Sequence, residues 1–183
     1  MKAALALEFF SRTTELVRRD APSVEIYHSI ETALNEVIGS KLLTILRLEG
    51  SRLKRLHTSD LPSYPVGGSK DISHDAWLQS MLQDGVPVIS ADPQAVRQRF
   101  VDHETIFGLG CGAVMNLPVI CPSGTLGSLN LLHEPGWFSP QHILLAAPFA
   151  SLLAVMWLAP ASPRHAGEAA GSGGSANTFA PSR

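Results

Sequence analysis

Apolar residues recur along this chain at helical spacing in some stretches and at strand spacing in others, and the change of spacing marks the elements. Residues 2–19 carry loosely periodic apolar positions, whereas residues 23–38 place theirs three and four residues apart, as one face of a helix requires. Ser23 is expected to cap this second helix and Gly39 to end it. Further helices are expected over 74–84, from Asp92 to about 101 or 107, and after Ser139-Pro140.

Shorter apolar runs bounded by turn residues predict strands. The runs 41–48 and 52–59 flank Glu49-Gly50-Ser51, which is the pattern of a β-hairpin. Residues 86–89 form another short run, and its proline favours the edge of a sheet. The intervening residues 60–73 contain two prolines and a Gly-Gly pair, so they are expected to form a loop.

The strongest strand signal lies in the C-terminal half of the chain. Residues 111–121 and 126–133 are apolar runs on either side of a Pro-Ser-Gly turn, and both alternating faces of each run are mostly apolar. A sheet that is apolar on both faces must be covered on both. Together with the order of the other elements, this hairpin predicts an α+β fold with an antiparallel sheet.

Two asparagines interrupt these apolar runs. Pairing the runs across Ser123-Gly124 places Leu117 opposite Asn130 and Asn116 opposite Leu131. This register puts the asparagines on opposite faces unless a bulge shifts it, so at most one of them is expected to face a pocket. A buried amide needs partners, and those of Asn130 are either structural or supplied by a ligand.

Composition narrows the class of protein. The chain has 183 residues, 45% apolar and 16% charged, with a net charge of −2, which favours a well-buried domain and gives no electrostatic footprint for nucleic acid or anionic lipid. Two cysteines provide neither a disulfide framework nor zinc spacing, so a reduced, cytoplasmic protein is expected. The apolar run 143–159 is interpreted as a core or dimer-interface helix rather than a membrane span.

Five short segments, in this order and spacing, resemble the GAF domain family. They are Gly-Ser-Lys-Leu-Leu at 39–43, Gly-Val-Pro-Val-Ile-Ser-Ala-Asp at 85–92, Asn-Leu-Pro-Val at 116–119, Leu-Gly-Ser-Leu-Asn-Leu at 126–131 and Trp-Phe-Ser-Pro at 137–140. The resemblance implies a central antiparallel sheet of five to six strands, with helices on one face and a roofed pocket on the other. Together with the Gly/Ala/Ser/Pro-rich composition after Pro160, which predicts a disordered tail over 160–183, it implies a GAF-like domain over 21–159 that follows an N-terminal helix over 1–20, a candidate dimerisation element.

The resemblance also implies a role without naming a ligand. The expected protein is a non-catalytic sensor that binds a small organic molecule, forms a homodimer through its terminal helices and signals in trans to a separate partner protein; the cofactor is unknown. The Asn-Lys-Phe-Asp-Glu signature of cyclic-nucleotide binders is absent from the sequence. The residues after Cys111 and Cys121 do not match the bilin attachment pattern.

The resemblance places the pocket between the sheet and residues 60–110, which gives a set of candidate ligand-binding residues. Tyr64, Trp77 and Phe107, together with Phe100, are candidates for an aromatic wall, although each also suits a plain core. Arg99 is the candidate counter-charge for an anionic ligand, with a surface arginine as the alternative. The remaining candidates are Asn116, Asn130 and Cys111. No metal site is expected.

A thiol-based redox enzyme similar to free methionine sulfoxide reductase is the alternative function, with Cys111 as its nucleophile. That chemistry passes through a sulfenic acid and then a disulfide, so it needs a resolving partner. On one extended strand, Cys111 and Cys121 would lie about 33 Å apart, far beyond the ~7 Å that a disulfide can bridge. Cys111 also suits the role of a small buried apolar residue.

Overall fold

The computed structural model describes residues 2–160, so the tail predicted over 160–183 falls outside it apart from Pro160. Over these residues the chain forms six helices and six strands. In chain order they are α1 (Lys2–Arg18), α2 (Ser23–Val37), β1 (Leu42–Glu49), β2 (Arg52–Thr58), β3 (Ser69–Asp71), α3 (Ala76–Asp84), β4 (Val88–Ser90), α4 (Pro93–Arg99), α5 (His103–Gly108), β5 (Ala113–Cys121), β6 (Gly124–His133) and α6 (Pro140–Leu158).

Two expectations about local structure are wrong. Ser23 does not cap α2, because the helix already begins there and Pro22 takes the N-cap position without a side-chain hydrogen bond. Residues 60–73 are not wholly a loop, because Ser69–Asp71 forms β3 and pairs with β2. A strand of three residues is too short for an apolar alternation to reveal it in the sequence.

The six strands form one antiparallel sheet in the order β3-β2-β1-β6-β5-β4. This confirms the predicted α+β class and the predicted number of strands. α1, α2 and α6 cover one face of the sheet, where Ile30, Leu34, Phe149 and Leu153 are fully buried. The central strands therefore carry a helix layer on one side, while their other side faces the shorter helices.

The hairpin of β5 and β6 contains an irregularity that the sequence does not reveal. Thr125 pairs with Ile120, and Gly127 pairs with Val119. Leu126 between them is therefore an extra residue in β6, a β-bulge. Its side chain is partly buried against the helix layer, so the bulge also contributes to the core.

The bulge overturns the predicted positions of the two asparagines. Asn116 lies directly opposite Asn130, not opposite Leu131, so both asparagines are on the same face of the sheet. One extra residue in a strand changes which face every later pair occupies. Because both faces of this hairpin are apolar, the hydrophobic pattern alone does not locate such a residue.

The helices α3, α4 and α5 lie over the opposite face, and aspartates fix the start of two of them. Asp75 Oδ1 accepts a hydrogen bond from Leu78 N at 2.9 Å, and Asp92 Oδ1 accepts one from Ala95 N at 2.9 Å. Each bond satisfies one amide at a helix N-terminus. Buried apolar side chains join this layer to the sheet, among them Leu78, Met81, Leu82, Val96 and Ile106.

α6 is apolar around its whole circumference. Within the described residues it is the one helix long and apolar enough to cross a membrane, with a mean hydropathy of 1.6. One side packs in the helix layer through Phe149 and Leu153. This agrees with the interpretation of the run 143–159 as a core helix. The other side exposes Leu144, Val155 and Leu158, which are 73%, 59% and 55% accessible.

Candidate functional site

A cavity of about 100 Å³ lies between the sheet and the layer above it. Its floor consists of side chains from β1, β2, β5 and β6, and its roof consists of side chains from β3, α3, α5 and the segments that precede β3 and α5. Most of the wall is apolar, including Leu42, Leu46, Val114, Ile106 and Leu132. Eight of the 17 lining residues are polar or charged, and their positions determine what the cavity can bind.

A row of three polar residues crosses the floor. Thr44 on β1 pairs with Asn130 on β6, and Asn130 pairs with Asn116 on β5. All three are buried, with accessible fractions between 5% for Asn116 and 7% for Asn130. The adjacent row on this face is apolar and consists of Leu42, Leu132 and Val114. The polar row is therefore a local feature of the floor.

Hydrogen bonds join the row into one network. Asn130 Nδ2 donates to Thr44 Oγ1 at 3.1 Å and to Ser128 Oγ at 3.2 Å, and Asn116 Nδ2 donates to Asn130 Oδ1 at 2.8 Å. Asn116 Oδ1 is buried and has no hydrogen-bond partner within residues 2–160. A buried acceptor without a partner costs about 1–3 kcal/mol, so this oxygen is the most informative atom of the site.

Arg55 brings a cation to the side of the cavity. It lies on β2 opposite Leu46, and its guanidinium stacks on the Tyr64 ring at 4.9 Å from the ring centre. Nη1 donates to the carbonyl of Pro65 at 3.1 Å, whereas Nε is buried without a partner in the described chain. Burial lowers the pKa of Arg55, while the nearby Tyr64 and Asp102 act in the opposite direction.

The roof carries two further polar pairs. Tyr64 donates its hydroxyl proton to Asp102 Oδ2 at 2.8 Å, and burial followed by this hydrogen bond raises the pKa of Tyr64, which keeps the phenol protonated. Lys70 Nζ lies 2.7 Å from Asp75 Oδ2. Both pairs join side chains of the roof to each other.

Five of the eight predicted site residues line the cavity, namely Tyr64, Trp77, Phe100, Asn116 and Asn130. The expectation that at most one asparagine faces it is wrong, because the bulge puts both on the floor. Trp77 packs edge-on against Phe100, with ring centres 5.2 Å apart, so the aromatic wall has two adjoining members. That these residues bind a ligand stays a prediction.

The other three predicted residues lie outside the cavity lining. Arg99 donates to Ser90 Oγ at 2.9 Å, and its guanidinium lies over the Trp77 ring. It therefore contacts the aromatic wall without lining the cavity. Phe107 packs beneath the guanidinium of Arg97. Cys111 is 3% exposed in the apolar cluster below α5, where burial raises the pKa of its thiol.

Sequence reasoning missed Thr44, Ser128, Arg55 and Asp102 as lining residues. Thr44 and Ser128 have a usable signal, because each is a polar residue with an uncharged side chain within a mostly apolar strand run, like the two asparagines. Arg55 has none, since a strand that alternates Arg, Lys and Leu is typical of a solvent-facing edge. Asp102 lies 38 positions after its hydrogen-bond partner Tyr64. The tertiary fold brings the two together at the cavity, and a sequence pattern does not show this.

The described residues contain no cluster of three or more His, Cys, Asp or Glu side chains that could hold a metal ion.

Comparison with solved structures shows that the fold is similar to that of GAF domains. The GAF domain of a phosphoenolpyruvate-protein phosphotransferase from Coxiella burnetii superimposes with a TM-score of 0.70 at 15% identity, covering 86% of this chain and 95% of that one. A phycoerythrobilin-bound GAF domain from a cyanobacterial phytochrome gives a TM-score of 0.66 at 13% identity, covering 85% and 98%. The GAF domain of a two-component sensor histidine kinase from Bacillus halodurans gives 0.62 at 15% identity, covering 72% and 90%.

No protein-family model and no curated protein sequence matches the chain. The likeness is therefore one of fold, and it confirms the fold that the sequence resemblance implied.

Proposed function

We propose that this chain, whose fold is that of a GAF domain, is a regulatory module that binds a small organic molecule in the cavity between its sheet and its roof. The observation that carries the proposal is the unpartnered side-chain oxygen of Asn116, a residue that lines that cavity. A ligand that donates a hydrogen bond to this atom removes the cost of burying it. GAF neighbours in a sensor histidine kinase and a phytochrome support a role in signalling.

The size of the cavity restricts the ligand. Pockets for drug-sized molecules enclose about 300–1,000 Å³, whereas this one encloses about 100 Å³. An apolar cavity of ~150 Å³ accommodates benzene. A bilin of the kind bound by the cyanobacterial neighbour is therefore too large, and the proposed ligand has only a few heavy atoms.

The alternative of a thiol enzyme has less support. A nucleophilic cysteine works as the thiolate, which needs an accessible position and a lowered pKa. Cys111 is buried, its pKa is raised, and it lies outside the cavity lining. Cys121 lies at the hairpin turn, where it contacts Ser123. The binding proposal thus uses the polar groups of the site, whereas the thiol proposal does not.

We further propose that the module is a homodimer that pairs through α6. The exposed residues Leu144, Val155 and Leu158 lie on one side of a helix that has no charged residue. A second copy supplies an identical apolar stripe, so two-fold pairing buries both. A cytoplasmic location remains the expectation, and the two free cysteines suit a reducing compartment.

The central strands offer a route from ligand to helices. Thr44 and Asn130 face the cavity, while their sequence neighbours Leu43 and Leu129 face the helix layer. A ligand that tightens the polar row therefore acts on residues adjacent to those that contact α2 and α6.

The proposed binding is tested by native mass spectrometry of the full chain purified from its own host. The expected result is a non-covalently bound small mass. Val114 is 1% exposed and lines the cavity, whereas Val101 is 84% exposed. Val114→Phe fills the cavity and should abolish the bound mass, and the matched control Val101→Phe should retain it. A wild-type chain without any bound mass, or equal retention by both variants, would contradict the proposal.

A further inference from the structure

We infer that the cavity selects an uncharged amphipathic molecule whose single polar group both donates and accepts hydrogen bonds, such as a small primary amide. This inference rests on the proposed function and adds the chemical class of the ligand. It follows from three observations on the same walls: the balance of charges, the polarity of the hydrogen-bonding groups and the apolar remainder of the surface.

The charged groups at the cavity balance each other. Arg55, Lys70 and Asp102 contribute to the lining, and Asp75 pairs with Lys70 at 2.7 Å. Two cations thus face two anions, and Asp102 acts on the Arg55 guanidinium as well as accepting the Tyr64 hydroxyl. A ligand with a net charge would find no uncompensated counter-charge in the cavity to offset its loss of hydration.

The floor presents an acceptor beside donors. Two buried side-chain atoms of cavity-lining residues have no partner within residues 2–160: Asn116 Oδ1, which only accepts, and Arg55 Nε, which only donates. The hydroxyls of Thr44 and Ser128 accept from Asn130 Nδ2, so each keeps its own proton to donate. A carboxylate has no proton for Asn116, and an ammonium or amidinium group has no lone pair for the hydroxyls. An amide satisfies both.

The apolar part of the cavity wall determines the size and shape of the apolar part of the ligand. Leucine, valine and isoleucine side chains dominate the walls, with Trp77 and Phe100 at one side. A cavity of about 100 Å³ takes an apolar body of only a few carbon atoms. The ligand class is therefore a short branched or cyclic apolar group attached to one neutral polar head.

Three isosteric probes test the selection by charge: isobutyramide, isobutyrate and isobutyramidine, which carry no charge, one negative charge and one positive charge. Dissociation constants are measured on the full chain by titration in protein-observed NMR. Isobutyramide should bind the wild-type chain at least about tenfold more tightly than either charged probe, since a single unpaired buried charge outweighs one hydrogen bond.

Substitutions at Asn116 separate recognition from a structural role. Asn116→Asp should reverse the order, so that isobutyramidine becomes the tightest probe, because the new carboxylate supplies its counter-ion. Asn116→Leu should weaken isobutyramide at least about fivefold by removing the acceptor, and it keeps the test available if the aspartate variant does not fold. Asn35→Leu, a change at an exposed asparagine, is the matched control and should leave all three affinities unchanged.

The outcomes that overturn the inference are distinct from failure of the proposed function. Equal or tighter binding of a charged probe by the wild-type chain, an unchanged order in Asn116→Asp, or no binding of any probe would each refute the ligand class. The proposed function fails only if the native chain carries no small molecule that the Val114→Phe variant loses.

Discussion

At the scale of single residues, Asn130 holds the polar floor together. Its amide donates to Thr44 and Ser128 and accepts from Asn116, so three of its neighbours depend on one side chain. The sequence singles out both asparagines as polar interruptions in apolar strands, and both do line the cavity. What it does not supply is their pairing, because that depends on a bulge with no signature in the hydrophobic pattern.

The network predicts an order of stabilities. Asn130→Leu should lower the free energy of unfolding by about 1–3 kcal/mol, because it leaves both polar atoms of the Asn116 amide buried without partners. Asn116→Leu should cost less, since it also removes the already unpartnered Oδ1. Urea denaturation followed by circular dichroism measures both. Equal losses, or a larger loss for Asn116→Leu, would show that the network is not arranged around Asn130.

The two thiols should differ in reactivity. The hydrogen bond with Ser123 lowers the pKa of Cys121, whereas burial raises the pKa of Cys111. Although both cysteine side chains are buried, the larger thiolate fraction of Cys121 at pH 8 should make iodoacetamide modify it faster than Cys111. Peptide mass spectrometry over a time course measures the rates, with Cys121→Ser as the control. Faster modification of Cys111 would revive the thiol-enzyme alternative.

At the scale of elements, regular helices and long strands are predicted well, whereas irregular pieces are not. α2, β1 and β2 follow from apolar spacing that extends over seven or more residues. β3 is missed because its three residues are held by pairing with β2 rather than by a pattern of their own. The N-cap of α2 shows the same limit, since Pro22, with its fixed φ, takes the place of the expected Ser23 side-chain cap.

Close packing of β6 against β1 and α6 predicts a strong effect of one glycine. A Cβ atom on Gly127 would overlap the carbonyl of Leu46 and the ring of Trp157, whereas one on Gly108 in α5 would meet nothing. Gly127→Ala should therefore lower the free energy of unfolding by at least about 2 kcal/mol, and the matched change Gly108→Ala should be neutral or slightly stabilising. Thermal and urea unfolding compare the two, and a tolerated Gly127→Ala would refute the close approach.

At the scale of the whole molecule, one sheet separates two layers with different tasks. The helix layer is built from long elements and large buried side chains such as Phe149 and Leu153. The layer over the cavity is built from α3, α4 and α5, of nine, seven and six residues. Short helices with few internal hydrogen bonds open at lower cost than long packed ones, which suits the side where a ligand has to enter.

The proposed dimer is tested by a charge on the α6 stripe. Val155→Glu should convert a dimer into a monomer, because pairing would bury two carboxylates against apolar surface. Val24→Glu, at a position on α2 with 65% exposure against 59% for Val155, is the matched control and should stay dimeric. Size-exclusion chromatography with light scattering gives the masses. A monomeric wild-type chain, or a dimeric Val155→Glu, would rule out this interface.

The bulge at Leu126 restricts how the number of residues in this hairpin can change during evolution. Asn116 and Asn130 meet across the hairpin only because their separation of fourteen positions combines with one extra residue in β6. If this residue is deleted in a related protein, the register of β6 shifts by one, and one of the two asparagines then points into the apolar core beneath the helices. In descendants with a working cavity, insertions and deletions between the two positions should therefore be compensated in pairs. The length of this segment should drift more slowly than the identity of its residues.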